Sequence, residues 1–266
     1  MSFEKIIFAF ISLLALSLLV TTSAGFSVSG SILKTEVTPG QEVVHVMTVK
    51  TEADESPLNL TAEIFGFGIS TTGGNLKYSS EEDTSPYSAR AFFEVSPNEF
   101  SLGPGESQEV VLEGRIPEDV GSGGRYAVVN IKTEPMGNGS VGVITAIDVP
   151  IMLTIKGSEL IETGEITDTN VLDDDGGLLF DLMFENTGNH HYKASSVAVI
   201  KDVNGEVVAE ASTPLEVSSI LPENVRQFKI QLDPEANLAP GTYTVEATVI
   251  HEDGTVLDTE EATFEV

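Results

Sequence analysis

Between Leu58 and Ile64 every second residue is apolar: Leu58, Leu60, Ala62 and Ile64 flank Asn59, Thr61 and Glu63. Successive strand side chains point to opposite faces, so this two-residue period specifies one dry face and one wet face. The period returns at Val110, Leu112 and Ile116, with Glu113 and Arg115 outward, and at Phe180, Leu182 and Phe184. Each run is short and ends at Gly, Pro, Asn or Asp. Val203-Asn204-Gly205 and Glu252-Asp253-Gly254 contain the dipeptides favoured in tight hairpins. Helical periodicity is nearly absent beyond the N-terminal segment. The pattern predicts an all-β chain of tandem immunoglobulin-like β-sandwiches.

An internal repeat divides the chain. Phe100-Ser101-Leu102-Gly103-Pro104-Gly105-Glu106 precedes an apolar run over Val110–Ile116, and Gly124-Arg125-Tyr126 then opens another over Ala127–Ile131. Ile220-Leu221-Pro222-Glu223 likewise precedes Phe228–Leu232, and Pro240-Gly241-Thr242-Tyr243 opens Val245–Ile250. The two Pro-to-Tyr spacings, Pro104 to Tyr126 and Pro222 to Tyr243, are 22 and 21 residues. Matched spacing predicts duplicated topology, with Tyr126 and Tyr243 as tyrosine corners whose hydroxyls bond back to the preceding loop. The boundary is expected at Lys156-Gly157-Ser158, giving sandwiches over 25–156 and 157–266.

Residues Ile6 to Val20 form an apolar run broken only by Ser12 and Ser17, with Lys5 before it and Thr21-Thr22-Ser23-Ala24 after it. Basic end, apolar run and small-residue exit predict a signal helix cleaved after Ala24, hence an exported, extracellular or cell-surface protein. The run is shorter than the ~20 residues of a spanning helix, so membrane attachment is expected only if this segment is retained.

Charge then narrows the function. The 266 residues carry 42 acidic and 13 basic groups, a net charge of −29. Residues 157–266 hold 23 acidic and four basic groups, whereas residues 25–156 hold 18 and eight. Nucleic-acid binding needs a basic surface that replaces phosphate counterions, so it is excluded; a cationic partner is the complementary expectation. With no cysteine there is no disulfide framework, thiolate metal site or thiol nucleophile.

Candidate chemistry is sparse. Asp173, Asp174 and Asp175, followed by Gly176-Gly177, form the densest acidic run and the best candidate for Ca²⁺, yet three consecutive Asp do not match the alternating EF-hand spacing; a solvated hairpin is the simpler reading. Glu81-Glu82-Asp83 reads as part of a mobile loop. His45 is placed on a strand and His251 at a hairpin end. His190 and His191 are adjacent, so on a strand they would face opposite ways and could not easily share a metal. No Gly-x-Ser-x-Gly elbow exists, and Gly121-Ser122-Gly123-Gly124 reads as a flexible loop, so no catalytic residue and no cofactor are expected. Tyr78, Tyr87 and Tyr192 lie in loop-like stretches and are candidate platforms for a cell-wall polysaccharide. Asn59-Leu60-Thr61 and Asn138-Gly139-Ser140 are candidate glycosylation acceptors at Asn59 and Asn138.

The Pro39-Gly40 turn, Met47-Thr48-Val49, Ser56-Pro57-Leu58, Ser96-Pro97, Leu102-Gly103-Pro104-Gly105, Ile116-Pro117, Gly124-Arg125-Tyr126 and Val149-Pro150-Ile151-Met152-Leu153-Thr154-Ile155 follow one another in a familiar order. Together they resemble the N-terminal domain of WxL-interacting cell-surface proteins, itself similar to the immunoglobulin-like domain of pilus chaperones. The second half, marked by Phe184-Glu185-Asn186-Thr187-Gly188-Asn189, resembles immunoglobulin-like domains of exported bacterial and archaeal surface proteins. The resemblance implies a non-enzymatic envelope protein that binds another protein through loops or a sheet edge. The alternatives it leaves are a carbohydrate- or cell-wall-binding module and a pilus-type periplasmic chaperone. For the last, Val143, Ile147, Ile151 and Leu153 would form an apolar donor strand; the same residues also suit an ordinary core.

Overall fold

The computed structural model describes residues 25–134, 144–174, 177–233 and 238–266. The signal segment, Asn138, Val143 and Asp175 lie outside these residues. Among the described residues the chain is all-β, apart from one 3-10 turn at Arg90–Phe92.

The first ten strands are β1 (Phe26–Ser29), β2 (Leu33–Val37), β3 (Glu42–Thr51), β4 (Leu58–Ile69), β5 (Asn75–Tyr78), β6 (Phe93–Ser96), β7 (Glu99–Leu102), β8 (Ser107–Arg115), β9 (Gly124–Thr133) and β10 (Ala146–Ile155). They form a four-stranded sheet in the order β1-β3-β8-β6 and a six-stranded sheet β2-β10-β9-β4-β5, with β7 also pairing β4. The alternation predicted at Leu58–Ile64 is the start of β4, whose Leu58, Leu60 and Ala62 are buried. They meet Met47, Val49, Val110 and Leu112 from the facing sheet in one core. The N-terminal strands change sheets: β1 pairs antiparallel with β3, and after Gly30 (φ +73°) β2 pairs parallel with the end of β10. A Cβ on Gly30 would lie 2.6 Å from the Val46 carbonyl oxygen, which requires glycine there.

The remaining strands are β11 (Gly164–Asp174), β12 (Gly177–Asn186), β13 (Ala194–Lys201), β14 (Val207–Ser212), β15 (Val225–Gln231), β16 (Thr242–His251) and β17 (Val256–Glu265). They form sheets β11-β12-β15 and β14-β13-β16-β17 around a second core that includes Phe180, Phe184, Phe228, Ile200 and Val245. Four rings from β12, β15 and β17 meet edge-on there in two pairs, Phe180 with Phe264 at 5.6 Å and Phe184 with Phe228 at 6.3 Å. No ladder among the described residues joins a strand of one group to a strand of the other. Tandem sandwiches are therefore the observed architecture.

Two sequence expectations change here. Tyr192 was expected in a loop as a sugar platform; it is 1% exposed in the second core, with its hydroxyl donating to the Thr163 carbonyl at 2.8 Å. A ring buried on that scale cannot present a face to a saccharide. His190 and His191 do not diverge, because Gly188–His191 is a turn rather than a strand, and their ring centroids lie 4.3 Å apart.

Candidate functional site

The surface that the sequence did not announce is the junction between the sandwiches. A small apolar cluster spans it, joining Ile69, Tyr126 and Met152 of the first sandwich to Leu221 from the loop before β15 of the second. Backbone bonds cross beside this cluster: Gly124 N–H donates to the Asn189 carbonyl at 2.7 Å, and Gln227 N–H to the Thr71 carbonyl at 2.8 Å. Ile69 N–H donates to Asn224 Oδ1 at 2.6 Å. Tyr126 and His191 meet through the phenol oxygen and Nδ1 at 3.1 Å, and Thr154 Oγ1 lies 3.1 Å from His190 Nε2.

Local sequence explains why these contacts close. Gly123 has φ +88°, and a Cβ there would lie 2.2 Å from the Asn189 carbonyl oxygen, so glycine lets the two backbones touch. Gly121-Ser122-Gly123-Gly124 is thus a docking loop. Opposite it, the Asn186-Thr187-Gly188-Asn189 motif is held by a fully buried Asn186, which donates to the His190 and Ile220 carbonyls at 2.9 and 2.8 Å and accepts from Gly188 N–H at 2.8 Å. Burial pulls the pKa of His191 down to about 3, with the neighbouring His190 adding to the effect. The same burial holds the Tyr126 hydroxyl well above its ordinary value.

A cleft of about 310 Å³ opens beside the junction. Phe67, Tyr78 and Tyr87 wall it over the buried Tyr126 and Leu221, and Glu82, Asp83 and Glu223 supply its charge. Two glycines of β4 let Asp83 and Tyr78 of this lining pack close against the strand. A Cβ on Gly66 would lie 2.3 Å from the Asp83 carboxyl carbon, and one on Gly68 would lie 2.8 Å from the Tyr78 ring. The alternating Phe65-Gly66-Phe67-Gly68 was the available sequence signal, since glycine inside a strand marks a close approach.

A second surface is the edge of β10. β9 pairs with β10 from Ala146 to Thr154, but β2 covers the other edge only at Ile151–Ile155. Among the described residues, Ala146–Pro150 therefore has one unpaired edge. Pro150 has no N–H to give to β9, and alternate residues share an edge, so Ala146 and Asp148 turn their backbone groups outward with it. Burial raises the pKa of the Asp148 carboxyl, but hydrogen bonds from Lys77, Asn130 and Asn75 outweigh burial and hold it below its ordinary value. Ile144, just before the strand, is 58% exposed. Ile147 is half-buried, whereas Ile151 and Leu153 are fully buried core residues.

The remaining candidates lie apart, except that Glu162 meets both His190 Nδ1, at 2.7 Å, and His251 Nε2, at 3.3 Å. Asp173 and Asp174 end β11, paired with Leu178 and Gly177 of β12. Among the described residues no group of three or more His, Asp or Glu could hold a metal ion. His45 Nε2 lies 2.8 Å from the Gly30 carbonyl oxygen, and His251 Nδ1 lies 2.9 Å from an Asp253 carboxylate oxygen. Asn59 is exposed on β4, where its side-chain oxygen accepts from Ser101 Oγ at 2.7 Å. Tyr243 donates to the Ala239 carbonyl at 2.8 Å, four residues upstream. Tyr126 instead reaches His191 across the junction, so the two matched tyrosines do different work. Among the described residues no helix is long and apolar enough to cross a membrane.

No family model matches the chain, and no curated protein matches it. Solved structures that it resembles include the class 5 fimbriae chaperone CfaA, at 11% identity over 91% of this chain and 98% of that chain, TM-score 0.42. A Salmonella enterica SafA pilin–SafB chaperone structure matches at 12% identity over 92% and 99%, TM-score 0.42. The Pseudomonas aeruginosa CupB2 chaperone matches at 14% identity over 88% and 98%, TM-score 0.38. These are likenesses of immunoglobulin-like sandwich architecture; at such identities nothing of those proteins' partners transfers.

Proposed function

We propose that this is an exported, non-enzymatic envelope protein that binds an extended segment of another protein by strand addition to β10. The sandwiches divide at Lys156-Gly157-Ser158, and the first is the binding unit. The observation that carries this reading is the unpaired edge at Ala146–Pro150, beside a ladder that is otherwise closed by β2. Added strands draw affinity from main-chain hydrogen bonds and specificity from alternate side chains. This mode unites the sheet-edge binding expected of a surface protein with the chaperone alternative. It is also the reading under which the resemblance to WxL-interacting proteins and pilus chaperones acquires a physical basis. Pro150 limits the docked strand to the residues above it, so the contact is short.

Hydrogen exchange on the full chain, alone and bound to the envelope protein it retains, tests the proposal. The Ala146 and Asp148 amides become protected only in the complex, and Ala146→Pro releases the partner while the circular dichroism spectrum is unchanged. Protection confined to other strands would overturn the reading.

A further inference from the structure

The cleft at the junction combines aromatic walls with charge of a single sign. Every charged residue lining it is acidic: Glu82, Asp83 and Glu223. Each carboxylate has only a neutral hydroxyl as side-chain partner. Glu82 accepts from Ser79 Oγ at 2.8 Å, Asp83 from Ser88 Oγ, and Glu223 from Ser85 Oγ at 2.8 Å. None of the three forms an ion pair with a described Lys, Arg or His. We infer that the cleft receives a cationic side chain, lysine or arginine, of a partner protein.

The occupant follows from charge complementarity and ring electrostatics. Aromatic faces carry negative potential and attract a cation placed over them, most strongly once it is partly desolvated. Three carboxylates in one cleft repel each other, and an ammonium or guanidinium relieves that repulsion while donating several hydrogen bonds. A carboxylate or phosphate ligand meets the opposite balance and is rejected. A saccharide would gain from the rings but not from the uncompensated charge. The cleft and the β10 edge are separate surfaces, so this inference stands or falls independently of strand addition.

Glu223 provides a clean test. It occupies the third position of the turn Leu221-Pro222-Glu223-Asn224, closed by Asn224 N–H to the Leu221 carbonyl at 3.1 Å, with φ +64°. Glycine suits that position better than glutamate, so Glu223→Gly removes the carboxylate without threatening the fold. The ¹⁵N-labelled full chain is titrated with the peptide acetyl-Gly-Lys-Gly-amide and with its Nε-acetylated counterpart. The expected result is saturable amide shifts confined to Tyr78–Ser88 and Leu221–Asn224, weakened about five-fold or more in Glu223→Gly and in Tyr78→Ala, and absent with the acetylated peptide. Replacing Glu260 and Glu261 of β17 with Gln leaves binding unchanged. Equal binding of the acetylated peptide, wild-type affinity in Glu223→Gly, or shifts spread over β17 and lost with Glu260 and Glu261 would each overturn the inference.

Discussion

Tyr126 and His191 meet edge-on across the junction, their rings 5.6 Å apart at 86°, with the phenol oxygen 3.1 Å from Nδ1. One side chain opens β9 and the other ends a turn after β12, so this pair ties the two sandwiches through buried polar atoms. At 2% and 4% exposure neither ring has water as a substitute partner. Tyr126→Phe leaves Nδ1 of a buried imidazole unpaired, which costs about 1–3 kcal/mol. Chemical denaturation of Tyr126→Phe against the parent measures that loss.

The same histidine gives the junction an acid dependence of definite sign. Its folded pKa is pulled down to about 3, whereas an unfolded histidine titrates near 6.5. The unfolded state therefore binds the extra proton first, and stability falls as pH drops from about 6.5 toward 3. Besides burial, the groups acting on it are His190 beside it and the Lys34 ammonium, both of which disfavour its charged form, and Tyr126 bonds to it across the junction. The loss is on the order of a few kcal/mol at full extent. His191→Phe flattens the denaturant midpoint between pH 7 and pH 4 relative to the parent; equal slopes would refute the assignment.

Backbone contact at Gly123 should be less forgiving than any side-chain change nearby. Gly123→Ala meets both a φ of +88° and a carbonyl oxygen 2.2 Å from its new Cβ. The Gly124–Asn189 hydrogen bond opens, and the sandwiches lose their fixed relation. Small-angle scattering is expected to show a larger radius of gyration for this variant, with far-ultraviolet circular dichroism retained.

Arg226 and Glu216 form an asymmetric pair. The guanidinium is 2% exposed and the carboxylate 32%, at 3.0 Å. Removing Glu216 strands a buried charge, whereas removing Arg226 leaves a carboxylate that water can reach. Glu216→Ala is therefore expected to cost more than Arg226→Met, by about 1–3 kcal/mol. Thermal unfolding of the two variants side by side decides the order.

Relieving the turn at Glu223 should stabilise the protein. A non-glycine residue at φ +64° carries a local cost, and Glu223→Gly recovers about 1 kcal/mol of it despite the added freedom of the unfolded chain. A higher melting temperature in that variant checks this separately from peptide binding.

Apolar patterning was enough to place several of the central strands. Leu58–Ile64, Phe180–Phe184 and Val245–Ile250 fall inside β4, β12 and β16. The spacing from Pro104 to Tyr126 and from Pro222 to Tyr243 located two strand starts, but equal spacing carries no information about what each hydroxyl meets. Tyr243 bonds within its own loop, while Tyr126 bonds to a residue 65 positions away. The junction was legible in one respect: Tyr126-Ala127-Val128-Val129 is an unbroken apolar run, and β9 is buried nearly throughout. Such a run marks a strand covered on both faces rather than one. The cleft was harder to see. Glu82 and Asp83 read as part of a solvated loop, and only folding sets them against Gly66, Tyr78 and Glu223.

The parallel pairing of Leu33–Val37 with Ile151–Ile155 imposes an order on biosynthesis. A chain that has emerged from the ribosome only as far as Thr133 already holds β3, β4, β8 and β9, yet β9 lacks its β10 neighbour and β2 has no ladder to join. More than a hundred residues separate the two halves of that seam, a closure that must await nearly all of the first sandwich. Until then β9 presents a long apolar edge to whatever shares its compartment. Between synthesis of β9 and synthesis of β10 the first sandwich therefore carries an unpaired strand edge at its centre.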